Sequence, residues 1–364
     1  MKHSPFSTNV SPNWQGLLQC IQRRGTRDRV YVIELFLDQE VQQALCERYD
    51  LLAGMNPKDL FFEQKRMVIL QRFLGYDYVR VGLDDWDMPL RRLSARDTAG
   101  LGRVGGRSYM EEHRGPITTW ADFEAYPWPD PDAASTRSLE WYQAHLPEDM
   151  CIIGSGGFAH FAEYLTWLMG YETLCYALYD QRDLVAAISQ RLIDIYEKVT
   201  RRLLEFDRVK LIWGSDDMGF RTGTLISPDD LREFVLPGHK LVAHMAHQAG
   251  RSYLFHSCGK LDAIMEDLIE DVGIDAKHSF EDTIQSVTSA KQEYGDRIAL
   301  LGGIDMDFLC RASEEQVRSR VRDTLEACMP GGGYCLGTGN SVANYVPLGN
   351  YLAMLDEGRR FQGS

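Results

Sequence analysis

In the stretch RSYLFHSCGK, residues 251–260, an apolar run through Tyr253, Leu254 and Phe255 ends in His256 and Cys258, followed by Gly259. On an extended chain, residues two apart point the same way. An imidazole and a thiol aimed at one spot have three roles open to them: holding a zinc ion, sharing a catalytic proton, or packing as a buried histidine and a small hydrophobe. The choice depends on what other elements bring beside them.

Eight short apolar runs, separated by stretches of helical length, read as parallel strands. They are VYVIELF (30–36), YDYVRVG (76–82), CIIG (151–154), KLIWG (210–214), SYLFH (252–256), GIDAK (273–277), IALLGG (298–303) and GGYCLG (332–337). Between them, residues 183–206 keep the helical period throughout, and SPDDLREFV, KLDAIMEDLIED and SEEQVRSRVRDTLEAC carry a cap residue or an acidic first turn. The alternation predicts an α/β fold, a (β/α)8 TIM barrel. Such a barrel takes roughly 250 residues, so a chain of 364 has residues left over. These are expected as an N-terminal helical extension around WQGLLQCIQRR and an insertion after the second strand, a hairpin or lid at about 89–131. No linker or internal repeat divides the chain, and residues 1–364 are expected to form a single domain.

The active sites of such barrels lie at the C-terminal ends of the strands. There the sequence places Glu34 on the first, Asp84 and Asp85 after the second, Ser155 after the third, and Asp216 and Asp217 after the fourth. His256 and Cys258 end the fifth, His278 and Glu281 follow the sixth, Asp305 the seventh, and Thr338 and Asn340 the eighth. Taken singly, each is as readily a cap or turn residue. GSGGF (154–158) lacks the dinucleotide-binding fingerprint and reads as close backbone packing at the rim.

Composition narrows the partners. A formal charge of −14 and a pI near 5.1 argue against a nucleic-acid backbone or an anionic membrane surface. No apolar run approaches the roughly 20 residues that span a bilayer. The first residues lack the apolar core of a signal peptide, and the eight cysteines form no CxxC pair. A cytoplasmic location and a small-molecule substrate are expected.

In order, VYVIELFLDQEV, LISPDDLREFVLPGHKLV, FHSCGKL, IDAKHSFED, RIALLGGIDMDFL and GGYCLGTGNSVANYVPLGNYLAML resemble the uroporphyrinogen decarboxylase superfamily. The likeness runs from about Trp14 to Phe361 and leaves the Gly/Arg-rich insertion unmatched. It implies a (β/α)8 barrel and one of two chemistries. One branch decarboxylates uroporphyrinogen without metal or cofactor; the other comprises zinc-dependent methyltransferases that draw on corrinoids. The arginine-rich motif with which the decarboxylases hold carboxylates is replaced here by ELFLDQE. HSCG, by contrast, matches the zinc-binding His-x-Cys of the methyltransferases at His256 and Cys258.

The resemblance therefore implies a methyltransferase that moves a methyl group between a corrinoid, carried on a partner protein, or a small methylated compound and a thiol-type acceptor. The family's third ligand, a cysteine after the eighth strand, is here Asn340. Glu281 is the expected third zinc ligand beside His256 and Cys258, with His278 in reserve; Cys335 falls on the opposite face of its strand from Asn340. Glu34, Asp216, Asp217 and Asn340 are expected to orient the substrate, with His278 and Asp305 beside them. The alternative is a metal-free decarboxylase or lyase, in which Asp84 stabilises a protonated intermediate and Tyr164 binds substrate. The many acids predict an acidic mouth, better suited to a cationic or hydroxylated donor than to a polyacid.

Overall fold

The computed structural model describes residues 4–25, 29–103, 106–155 and 158–361. Its centre is a seven-stranded parallel sheet in a TIM-barrel-like α/β fold. In chain order the strands of the molecule are β1 (Tyr78–Val81), β2 (Arg92–Ala95), β3 (Arg107–Met110), β4 (Cys151–Gly154), β5 (Val209–Ser215), β6 (Ser252–His256), β7 (Ala276–His278), β8 (Ala299–Leu301) and β9 (Tyr334–Cys335). The central sheet runs β1-β4-β5-β6-β7-β8-β9. Its strands are short and nearly all buried, as expected where helices cover a parallel sheet. The covering layer includes the helices Arg182–Leu204, Leu236–Gln248 and Glu314–Cys328.

The predicted first strand does not form a regular ladder. Residues 30–37 meet the segment after β9 through isolated parallel bridges, Val32 to Leu336 and Leu37 to Val342. On the other side the link to β1 is a side chain: the Tyr78 hydroxyl accepts from the Glu34 N–H at 2.8 Å and lies 3.3 Å from the Glu34 carbonyl. A phenol thus stands in for a backbone pair, and a cavity of about 300 Å³ opens beside it, lined by Glu34, Met67, Leu70, Tyr78 and Arg80 among others. Other strands are shorter than expected because glycines leave the extended region. Gly273 at φ 78° closes the preceding helix, and Gly331, Gly332 and Gly333, all at positive φ, delay β9.

The insertion is a hairpin, with β2 and β3 paired antiparallel from Arg92–Met110 to Ala95–Arg107. Its connection is tied to the segments that follow the first and last strands. Arg103 bonds Glu40 at 2.7 Å, Arg107 reaches Asp38 at 3.3 Å, and Asn344 Nδ2 donates to Asp97 at 2.6 Å. The N-terminal helix, Trp14–Ile21, starts at the Asn13 cap and packs on β9, where the Cys20 thiol donates to the Tyr334 carbonyl at 3.2 Å. Cys335 is spent there too, its sulfur 3.9 Å from that of Cys20 and out of reach of the strand ends. Among the described residues no helix is long and apolar enough to cross a membrane.

Because Tyr78 holds the irregular segment to β1 and the Glu34 N–H is buried, Tyr78→Phe leaves a donor unsatisfied. It should cost about 1–3 kcal/mol of stability, measured by urea denaturation. A loss within the scatter of surface substitutions would mean that the hydroxyl is not the link between the two segments.

Candidate metal and substrate site

The end of β6 sets the site. Strand alternation carries Leu254 and His256 to the same face, and β5 lies in register with Ser215 opposite His256. The chain then turns sharply. Gly259 has φ +84°, and a Cβ there would lie 2.2 Å from the backbone of Gly219, so only glycine fits. The Cys258 N–H donates to Asp217 Oδ1 at 2.8 Å, which fixes the thiol beside the acid.

Asp217, His256 and Cys258 thereby offer three ligand atoms that all lie within 4.8 Å of one another. His256 Nε2 is 3.5 Å from Cys258 Sγ and 3.5 Å from Asp217 Oδ1. Ligands of a tetrahedral zinc with ordinary bond lengths stand about 3.4–3.6 Å apart, so these residues fit the ion. Asp217 keeps 41% of its side chain exposed and opens the cluster to the mouth. Burial works against its charge, but the His256 imidazole and the Cys258 N–H and thiol hold its carboxyl well below the usual carboxylate range. Burial, with Asp217 and Glu281 nearby, pushes the Cys258 thiol up to about 12. A cation is needed here to make it a thiolate.

His278 supports His256 rather than facing substrate. The two Nδ1 atoms are 2.7 Å apart, and His278 is fully buried, edge-on to Trp213. Burial, then the charges of His256, Lys277 and Arg80, hold it well below the usual imidazole range, so it is neutral. Its Nε2 has no hydrogen-bond partner among the described residues. A neutral His278 with its proton on Nε2 accepts at Nδ1 from His256 Nδ1–H, which leaves the His256 Nε2 lone pair aimed at the cluster.

Asn340 projects to the same place, donating from Nδ2 to Cys258 Sγ at 3.2 Å. Glu281 stands outside the group of three and lines an open groove with Asp305, Asn340 and Tyr345. Lys277, which sequence reasoning passed over inside a strand, is buried and donates to the Ser279 carbonyl at 2.7 Å. It thereby braces Ser279, a non-glycine residue at φ 86° whose hydroxyl is 3.5 Å from Cys258 Sγ.

The acidic mouth is where the structure departs most from expectation. Asp84 gives both oxygens to Ser138, at 2.6 and 2.7 Å. Asp216 is buried, caps the helix Phe161–Met169 through the N–H groups of Ala162 and Glu163, and contacts His239 at 2.9 Å. Asp305 caps the helix Met306–Arg311 and also accepts from the Asp282 N–H. Tyr164 is enclosed by His160, Trp167 and Tyr196 rather than lining the mouth. His160, Glu163 and Asp216 form a second close group, but the two Asp216 oxygens are committed to the helix cap. Gly156 and Gly157 of GSGGF lie outside the described residues.

Glu34 is buried, and burial pushes its carboxyl up to about 8 against the opposing pull of Thr338. Geometry agrees with a protonated acid. Oε1 accepts from the Thr338 N–H at 2.8 Å, Oε2 is 2.5 Å from Thr338 Oγ1, and that hydroxyl is 3.1 Å from the Asn340 carbonyl. With Glu34 protonated, it donates to Thr338 and Thr338 donates onward to Asn340, so every proton has an acceptor.

The uroporphyrinogen decarboxylase (URO-D) family model matches residues 107–361, well over half of this chain. The chain belongs to the uroporphyrinogen decarboxylase family. Over 133 residues it is 32% identical to the methylated-thiol–coenzyme M methyltransferase of Methanosarcina mazei, a match spanning 36% of this chain and only 33% of that relative. The uroporphyrinogen decarboxylase of Pseudoalteromonas atlantica is 24% identical over 272 residues, 72% of this chain and 75% of the relative. Among solved structures, a methyltransferase from Methanosarcina mazei superposes with a TM-score of 0.64 at 16% identity, over 94% of this chain and 97% of that one. At that identity the likeness is one of fold.

The Glu34 carboxyl gives this family member a pH signature. Its folded value is raised, so the stability it contributes is fully present below the ordinary glutamate range and is lost as pH rises towards and through about 8. In that window the wild type should lose up to about 1.4 kcal/mol per pH unit relative to Glu34→Gln, measured by denaturation at a series of pH values. Parallel pH profiles for the two proteins would show that Glu34 is ionised at neutral pH.

Proposed function

We propose that the protein is a methyltransferase, moving a methyl group between a corrinoid carried on a partner protein, or a small methylated compound, and a thiol-type acceptor at a zinc site. The observation that carries this reading is the ligand geometry of Asp217, His256 and Cys258, backed by a neutral His278 that orients His256. Zinc held there would supply the positive charge that makes a thiol acceptor a thiolate at neutral pH.

The chain's own residues do the rest. Asp217 takes the place of the second thiolate that the resemblance leads one to expect, and with Cys258 it supplies two negative charges around the ion. Asn340, standing where that cysteine would be, donates to Cys258 Sγ and moderates the sulfur's charge. The exposed side of Asp217 leaves an approach for the acceptor. Glu34, uncharged and linked through Thr338 to Asn340, holds that amide in place rather than acting as an anion.

One observation favours the second reading, a metal-free decarboxylase or lyase. A protonated Glu34 beside an enclosed cavity is placed to deliver a proton to a carbanion. Carbon dioxide release that is indifferent to chelators and abolished by Asp84→Asn would support it over methyl transfer.

Zinc analysis of protein purified anaerobically, without thiol reductants, tests the main reading. The wild type should hold about one ion per chain. Occupancy should fall at least about tenfold in Cys258→Ser and Asp217→Asn, and remain in Glu281→Gln and Cys335→Ser. A wild type without zinc overturns the proposal. Loss in Glu281→Gln with retention in Asp217→Asn would return the third-ligand role to Glu281.

A further inference from the structure

Arg80 is a cation without a counterion. It lies on β1, its guanidinium 4.7 Å above the Trp213 ring, and its Nε donates to Ser155 Oγ at 3.0 Å. Among the described residues it makes no ion pair, whereas other half-buried arginines do: Arg29 with Asp77, and Arg318 with Asp356 and Glu357. Burial lowers its pKa only to about 10, so it stays charged at neutral pH. A charge withdrawn from water is costly unless it is paired.

The cavity that Arg80 lines has no anion of its own to offer. Glu34 is the one acid on its wall, and both Glu34 oxygens are taken up by Thr338. The opposite wall is apolar, made of Met67, Leu70 and Leu74, and the space is about 300 Å³, at the lower end for a small-molecule site. On the same wall Gln42 and Gln71 each leave a buried amide oxygen without a donor.

We infer that Arg80 and Ser155 form an anion subsite inside the barrel, which receives the carboxylate of a small substrate whose short hydrocarbon body lies along Met67, Leu70 and Leu74. A guanidinium already flat against an aromatic ring presents its edge, and a planar carboxylate meets that edge with two parallel hydrogen bonds. A hydroxyl or amino group on the body supplies the donor that the Gln42 and Gln71 oxygens lack. The acids that predicted an anion-repelling mouth do not oppose this: Asp84, Asp216 and Asp305 are occupied by N–H and O–H donors, and Glu34 carries no charge. The subsite goes beyond the zinc reading and does not depend on it.

Calorimetric titration of the full-length, metal-free protein with butanoate, hexanoate and their 2-hydroxy derivatives tests it, with the corresponding amides as neutral controls. At least one carboxylate should bind, its amide at least about tenfold more weakly, and the hydroxy acid more tightly than the plain acid. Arg80→Gln should lose carboxylate affinity by at least about tenfold, while Arg80→Lys retains part of it. Cys258→Ser should bind carboxylates like the wild type, so failure of the zinc reading leaves this result intact. If Arg80→Gln does not fold, Arg80→Lys and Ser155→Ala carry the comparison. Equal affinity for acid and amide, undiminished binding in the Arg80 and Ser155 variants, or no binding by any acid at millimolar concentration would overturn the subsite.

Discussion

A hydrogen bond between two imidazoles requires one donor and one acceptor, and the 2.7 Å contact between His256 and His278 sets the terms for the rest of the site. His278 is sealed between Trp213 and the barrel wall and stays neutral, so it accepts. His256 is thereby held in the tautomer that leaves Nε2 free, 3.5 Å from both Cys258 and Asp217. A tautomer fixed by a buried partner is the usual way a protein readies a histidine for a metal. The neighbouring strands serve this pair: β6 and β7 are in register with His256 opposite His278, so the rings meet without any loop having to move.

The second constraint is the cost of charge in the barrel. The acids that gather at the strand ends are mostly consumed by structure, capping helices or gripping neighbouring loops, and Glu34 gives up its charge altogether. What remains active is sparse: Asp217 at the mouth and the unpaired Arg80 below it. The interior is therefore polarised, with a cation-binding cluster above and an anion-seeking guanidinium beneath. A substrate bearing a carboxylate at one end and a reacting group at the other would span the two.

Much of this was legible in the sequence, and the limits have physical causes. The His-x-Cys pair follows from strand periodicity, and CIIG and SYLFH end in the structure at the residues expected of them. The hairpin after the second strand is also present. The first strand was overdrawn because an apolar run says nothing of its pairing; residues 30–37 meet β1 through the Tyr78 phenol instead of a ladder. Asp217 was read as a substrate contact and Glu281 as the expected ligand because spacing along the chain cannot show that the Cys258 N–H draws Asp217 inward. Lys277 and Arg80 sit inside apolar strands, and a sequence does not reveal whether a buried cation has found a partner.

The most direct measurement is zinc K-edge X-ray absorption on wild-type protein reconstituted anaerobically in thiol-free buffer. One sulfur at about 2.3 Å, with nitrogen and oxygen scatterers at about 2.0–2.2 Å, is the expected result. Two sulfurs, or none, would contradict a site built from Asp217, His256 and Cys258.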